Sequence, residues 1–290
     1  MTKLCFFNFY HNGDLFHSKP FVREVISALG KENVQYAHEK DPKVLQDLEI
    51  GYAKVRGLTD KVKSFHWAEQ DVLLVNTWIG SYFDLYEGEC TLSFNMKMWK
   101  HIYALINQYF QTNLKLGPIE DYMPYVDYSK FKVDQIDDWL NTNSNTKILF
   151  SNGVVLSGQC EYTGDMADII VESAEKHPNI TFLTTNQIRT SLANVIHTAE
   201  IIRSDNCDLN EIAYLSRACS LIIGRNSGPF CFASTGENLN DPSKTFYAYG
   251  IRHSDCFTMG ILVKSNYIFE KYEDYDAIKE TIKKLISAYV

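Results

Sequence analysis

Residues 3–30 read KLCFFNFYHNGDLFHSKPFVREVISALG. Lys3 to Phe9 is a compact apolar run of strand length. His11-Asn12-Gly13-Asp14 follows as a polar turn. From Lys19 the spacing changes: Phe21, Val22, Val25, Ile26 and Leu29 recur at helical intervals. Ser18 stands as N-cap, Pro20 near the first helical position and Gly30 as the stop. Asn33 to Ala37 supplies a second strand. Strand, turn, helix and strand in this order open a doubly wound α/β sheet.

Further along, Asp71 to Asn76 (DVLLVN) is another buried strand, and Thr77 to Phe83 is an aromatic loop. Residues 95–112 carry a helical stripe of Met98, Ile102, Leu105, Ile106 and Tyr109. Residues 113–146 hold two prolines, several aspartates and an Asn/Thr/Ser-rich stretch, so the composition sets a domain boundary just before Lys147. The second half then restarts the pattern. Lys147 to Ser151 is a strand, Asn152 to Thr163 a glycine-containing loop, Asp165 to His177 a helix and Ile180 to Thr184 a strand. Asn194 to His197 is a weaker strand and Leu209 to Ala218 a helix. Ser220 to Gly224 and Thr245 to Tyr249 are strands, with a helix starting at Gly228 between them. The expected organisation is an N-terminal Rossmann-like domain, 1–146, and a second, 147–290. The two face each other across a cleft lined by the carboxyl ends of their strands. The closing helix, 274–289, is long enough to pack back on the first domain.

Composition narrows the function. The 290 residues carry 28 basic and 36 acidic side chains, a net charge of −8, so no basic nucleic-acid footprint shows in the totals. An anionic ligand must be held by local groups such as backbone N–H donors. The seven cysteines (5, 90, 160, 207, 219, 231, 256) are odd in number and scattered without a C-x-x-C, which points to free thiols in a reducing compartment and away from a zinc site. No apolar run approaches the ~18 residues of a membrane span, and the apolar start is too short for a signal-peptide core. A cytoplasmic protein is expected.

Two segments carry the chemistry. Asn12-Gly13-Asp14 follows the first strand, where a carboxylate can take a proton from a substrate hydroxyl; the same residues also favour turns for purely local reasons. Gly224-Arg225-Asn226-Ser227-Gly228-Pro229 is a strand end, a polar loop and a helix start. Its N–H groups suit a diphosphate, with Ser227 adding a hydroxyl and Arg225 a positive charge. An unliganded helix cap explains that segment equally well. Asn152 and Gly153 add a small polar loop on the same side, and His17, Trp78, Tyr82 and Phe83 lie on the Asp14 side. There is no G-x-G-x-x-G or P-loop, and the D-x-D at Asp274-Tyr275-Asp276 reads as helix-start acids rather than metal ligands.

Asn12 to Arg23 resembles the opening of the heptosyltransferase family, glycosyltransferase family 9, in which a Gly-Asp and a nearby Pro start the first helix. Asp208 to Leu215 with Ser220 to Pro229 resembles that family's donor-site stretch. The resemblance implies a GT-B fold, a nucleotide-sugar donor, a hydroxyl acceptor such as a glycan, and metal-independent transfer with no cofactor. It maps the base onto Asp14 and the donor phosphates onto Asn226, Ser227 and Gly228; position and residue type add Arg225, Asn152 and Gly153 on the donor side and Asn12, Gly13, His17, Trp78 and Tyr82 on the acceptor side. The chain departs from the family by having Asn226 in place of an Asp, Phe230-Cys231 where a His follows Gly-Pro, and no Lys between Asn152 and Gly164. Epimerisation or hydrolysis of a nucleotide-sugar, and a non-catalytic sugar- or nucleotide-binding module, remain as alternatives.

Overall fold

The computed structural model describes residues 3–53, 61–153, 166–204, 207–226, 228–252, 256–258, 263–271 and 274–289. The opening apolar run forms strand β1 (Lys3–Phe7), and helix α1 (Asn12–Leu29) begins at Asn12 rather than Lys19. His11 caps it in extended conformation, and Asp14 stands in the first turn, where the helix dipole favours negative charge. Pro20 sits inside the helix, so the carbonyl four residues back has no helical donor there. Ser18, expected as the cap, instead turns its hydroxyl back to the Leu15 carbonyl at 2.7 Å.

The chain divides into two compact units, Met1–Tyr125 and Val126–Val290. The first adds β2 (Val34–Ala37), β3 (Gly51–Ala53), β4 (Ser64–Trp67), β5 (Val72–Asn76) and α2 (Thr91–Phe110). Its strand order is β3-β2-β1-β5-β4, parallel except where β4 pairs antiparallel with β5. Stacked rings fill the space between α1 and α2: Phe21 lies 5.0 Å from Trp99 and 4.3 Å from Tyr122.

The second unit contains α3 (Asp134–Thr142), β6 (Thr146–Ser151), α4 (Ala167–Lys176), β7 (Ile180–Thr184), β8 (Val195–His197), α5 (Thr198–Ile202), α6 (Leu209–Ser216), β9 (Leu221–Gly224), α7 (Gly228–Ala233), α8 (Gly236–Leu239), β10 (Thr245–Gly250), β11 (Asn266–Lys271) and α9 (Tyr275–Ser287). Its sheet is wholly parallel, in the order β11-β10-β9-β6-β7-β8. Counted from β6, this is the 3-2-1-4-5-6 order of a Rossmann sheet. The stretch before Lys147, which composition assigns to the first domain, packs here: Tyr214 donates to Asp137 Oδ1 at 2.7 Å, and its ring meets Tyr128 edge-on. Helix α9 buries Ile278, Ile282 and Ile286 in this unit's own core, with Ile169, Ile170 and Tyr247. Asp274 caps α9 by accepting from Ala277 N at 2.8 Å, which is the helix-start use expected of it. Among the described residues no helix is long and apolar enough to cross a membrane.

In the first unit the crossover from β2 to β3 runs through a 3-10 segment, Pro42–Leu48, pinned to α1 by charge. Asp47 lies 2.6 Å from both Lys19 Nζ and Arg23 Nη2, with the Lys19 and Asp47 side chains wholly buried. The Arg23 guanidinium also lies 3.5 Å from the centre of the Tyr125 ring. Removing one member of a buried pair strands the other charge. Asp47→Ala should therefore cost about 3–5 kcal/mol in urea denaturation, and Lys19→Met combined with Asp47→Leu should recover most of that loss.

Candidate active site

In a doubly wound sheet, ligands bind where successive crossovers leave to opposite sides, beyond the carboxyl ends of the strands. In the first unit that point lies between β1 and β5, and in the second between β6 and β9. The described sequence-predicted residues belong to the loops and helix starts at these two places.

At the first, the chain makes the same turn twice. Asn8 and Asn76 end neighbouring strands, and both are buried. Asn8 Oδ1 accepts from Tyr10 N at 3.0 Å, and Asn76 Oδ1 from Trp78 N at 2.8 Å. Each asparagine side chain thus imitates a backbone turn and throws out an aromatic residue two positions on. The Tyr10 and Trp78 rings stack with centroids 4.0 Å apart. Gly80 makes room for this pair, since a Cβ there would fall 2.3 Å from the Trp78 ring.

Asp14 stands beside this pair's strands, half-buried in the first turn of α1. Loss of water around it pushes its carboxyl up to about 7. Nearby, the Tyr36 hydroxyl sits 3.2 Å from Ser18 Oγ and is also hydrogen-bonded to Thr77 Oγ1. Burial, and less strongly the Asp14 charge, hold that phenol well above its ordinary range. A carboxyl that titrates near neutrality is matched to moving a proton at physiological pH.

Asn12 is half-buried in the same turn and Gly13 is buried. His17 and Tyr82, expected on the acceptor surface, are interior instead. His17 is 3% exposed and burial pushes it down to about 3, so it is neutral. Tyr82 is 4% exposed and spends its hydroxyl on the Asn76 carbonyl at 3.0 Å. Tyr10 takes the surface place beside Trp78. Its signal in the sequence was the repeated Asn-x-aromatic at 8–10 and 76–78.

At the second switch point β9 runs close against β6. A Cβ on Gly224 would meet Ser151 Cβ at 2.7 Å, so only glycine fits. Asn152 is fully buried and braces the neighbouring loop: its Nδ2 donates to Asn186 O at 3.0 Å and its Oδ1 accepts from Asn186 N at 2.8 Å. Arg225 is also fully buried and donates to the Gly153 carbonyl, tying the β6 and β9 loops together. Asn226 is buried, 6% exposed, and accepts from Cys231 Sγ at 3.3 Å. Gly228 starts α7 with φ 35° and open space over its Cα. Ser227 and the loop beyond Gly153, up to residue 165, lie outside the described residues. No group of three or more His, Cys, Asp or Glu side chains suited to a metal occurs among the described residues.

No protein-family model matches the sequence, and no curated protein sequence does. Solved structures match by fold. The glycosyl transferase family 9 protein of Veillonella parvula DSM 2008 superposes with a TM-score of 0.51 at 12% identity, over 98% of this chain and 91% of that one. E. coli heptosyltransferase WaaC with ADP-2-deoxy-2-fluoro heptose gives 0.51 at 8% identity, over 98% and 100%. The iron-containing dodecameric glycosyltransferase TibC of enterotoxigenic E. coli H10407 gives 0.49 at 13%, over 97% and 66%. The chain has the GT-B type fold of the first two of these glycosyltransferases, at 8–12% sequence identity.

The Asp14 environment makes a stability prediction. A carboxyl raised from 3.8 to about 7 favours the fold while protonated, and that contribution is lost as pH rises from about 4 through 7. Asp14→Asn cannot ionise. It should melt above the wild type at pH 8, with the gap closing by pH 4, in a scan of Tm against pH. A gap that stays constant with pH would contradict the buried ionisation.

Proposed function

We propose that this protein is a glycosyltransferase that moves a sugar from a nucleotide-sugar donor to a hydroxyl acceptor in a single inverting displacement without a metal ion. The observation that carries the reading is Asp14: a carboxyl raised to about 7 by loss of water, at the switch point where the loops after β1 and β5 also bring Tyr10 and Trp78 into a stack, on the fold of known glycosyltransferases. The Tyr10–Trp78 pair supports the acceptor side, since aromatic faces receive sugar rings. The loop Arg225–Gly228 supports the donor side, because it leaves the Rossmann switch point and opens a helix.

In this mechanism the acceptor oxygen bonds to the anomeric carbon as the bond from that carbon to the phosphate oxygen breaks. The hydroxyl proton passes to the Asp14 carboxylate. The nucleoside diphosphate leaves with the bonding electron pair, held by the loop at Asn226, Ser227 and Gly228. Attack opposite the leaving group inverts the anomeric centre. Arg225 ties that loop to the Gly153 carbonyl, and Asn152 holds the neighbouring chain at Asn186. The only D-x-D in the sequence is engaged at the start of α9, in keeping with metal-free chemistry.

A thermal-shift screen against UDP, GDP, ADP, CMP and dTDP and their sugar conjugates identifies the donor, because a ligand of the native state raises its melting temperature. One nucleotide should stand out; no shift with any of them removes the reading. With that donor and an accepting glycan, Asp14→Asn should lower kcat by about 10²- to 10⁴-fold and leave the donor Kd within about threefold. The base must be ionised, so wild-type kcat/KM should rise with pH and level off above about 7. Turnover that survives Asp14→Asn would remove Asp14 as base. Sugar release without any acceptor requirement would favour hydrolysis.

A further inference from the structure

A cavity of about 240 Å³ opens on the first unit between β2, β3 and the Pro42–Leu48 segment. It contains no residue assigned above to either half of the reaction except the Tyr36 ring. Tyr36 and Tyr52 are register partners on adjacent parallel strands, so both side chains leave the sheet on one face. His38 follows on that face two residues after Tyr36. Its ring meets Tyr36 at 5.9 Å and Tyr52 at 5.0 Å, both edge-on, and the Tyr52 hydroxyl donates to the His38 carbonyl. The far wall is the 3-10 segment, which presents Lys43 and Gln46 and is held rigid through Asp47 by the buried charges of α1.

The lining suits one class of ligand. Three rings and a few aliphatic groups offer flat apolar surface, and one amide and one ammonium offer polar contacts. Among the described residues no carboxylate lines the cavity. Burial pushes His38 down to about 4, so it adds no charge at neutral pH. The volume falls below the roughly 300–1,000 Å³ of a drug-sized ligand pocket, which is room for a single ring and not for a nucleotide. A neutral or anionic pyranose has the required form, with one C–H face for the aromatic walls and hydroxyl groups for Gln46 and Lys43.

The position gives the site its meaning. Tyr36 forms a cavity wall with its ring and reaches Ser18 and Thr77 with its hydroxyl, beside Asp14. The cavity reaches the carboxyl edge of the sheet at His38, just past β2, and from there the order along that edge is Asp14 after β1, then Trp78 after β5. Neighbouring strands lie about 4.8 Å apart, so the cavity and the Tyr10–Trp78 pair are roughly 10–14 Å from one another. A monosaccharide cannot touch both.

We propose that the cavity is a second sugar subsite, so that the acceptor is an oligosaccharide of at least two residues lying along this edge past Asp14. Naming that glycan the acceptor rests on the transferase reading; its binding in the cavity does not. The test is saturation-transfer NMR on the full chain with glucose, N-acetylglucosamine and glucuronate, and with di- and trisaccharides built from each. At least one series should bind, with its trisaccharide about tenfold tighter than its monosaccharide. Tyr52→Ala and Gln46→Ala both change exposed side chains and should keep the fold. Each should weaken the trisaccharide about fivefold to tenfold, while the shift in melting temperature given by the donor nucleotide stays the same. The proposal is overturned if no sugar series binds, if chain length makes no difference, or if both variants bind the trisaccharide like the wild type. Glycan binding that depends on Tyr52, without product from any nucleotide-sugar, would overturn the transferase reading and leave the glycan subsite standing.

Discussion

A parallel sheet cannot be closed by hairpins; every strand must be reached by a crossover, and each crossover covers one face. When the chain has built outward from its first strand to one edge, it must return past that strand to build the other side. The loops that leave the first strand and the returning strand then diverge and cannot cover the gap between them. In this protein that constraint operates twice, at β1 against β5 and at β6 against β9. The features that distinguish the two places follow from it. Gly224 is required because β9 comes down hard on Ser151, and Asn8 and Asn76 make matched turns because two adjacent strands end at one level.

The same constraint accounts for the state of Asp14. A helix starting soon after β1 carries its first turn over the end of the sheet, near the Tyr36 hydroxyl and its hydrogen-bond partner Thr77. The carboxyl gains the helix dipole but loses water, and loss of water dominates. Nothing in the stability of the first unit calls for an acid there. A half-buried carboxyl that would fold better uncharged is the kind of local cost found at reactive sites. The buried Lys19–Asp47–Arg23 cluster differs in kind. It fixes a crossover in place, and its charges answer one another.

How much of this was legible in the sequence depends on how local the cause is. Continuous apolar runs gave β1, β5, β6, β7, β9 and β10, because strands buried on both faces must be apolar throughout. The two-segment resemblance and the restart at Lys147 gave the fold class. The start of α1 was hidden because Ser18-Lys19-Pro20 looks like a cap, whereas the capping residue is His11, which carries no capping side-chain bond. Strands β3, β4 and β11 are edge strands with few buried residues, so their pattern is weak. The helix in 134–142 was hidden by its aspartates, which crowd its exposed side, while Ile136 alone is fully buried. Among site residues, position in the chain placed Asp14, Trp78 and Asn226 near their switch points. Orientation was not legible: nothing local distinguishes Tyr82, which turns inward, from Tyr10, which turns out.

The departures in the second unit belong together. The resemblance expects an Asp at position 226, a His soon after Gly-Pro and a Lys in the loop after β6. This chain has Asn226, Cys231 and no Lys from Asn152 to Gly164. Asn226 and Cys231 touch each other, thiol to amide, across the first turn of α7. Asn226 leaves this turn without the negative charge that the resemblance expects there. The missing Lys belongs to the stretch after β6, which beyond Gly153 lies outside the described residues. Arg225 does not substitute for it, because its guanidinium is wholly buried and donates to the Gly153 carbonyl. Under the proposed donor role, an anion at this loop is left with backbone N–H groups and neutral side chains.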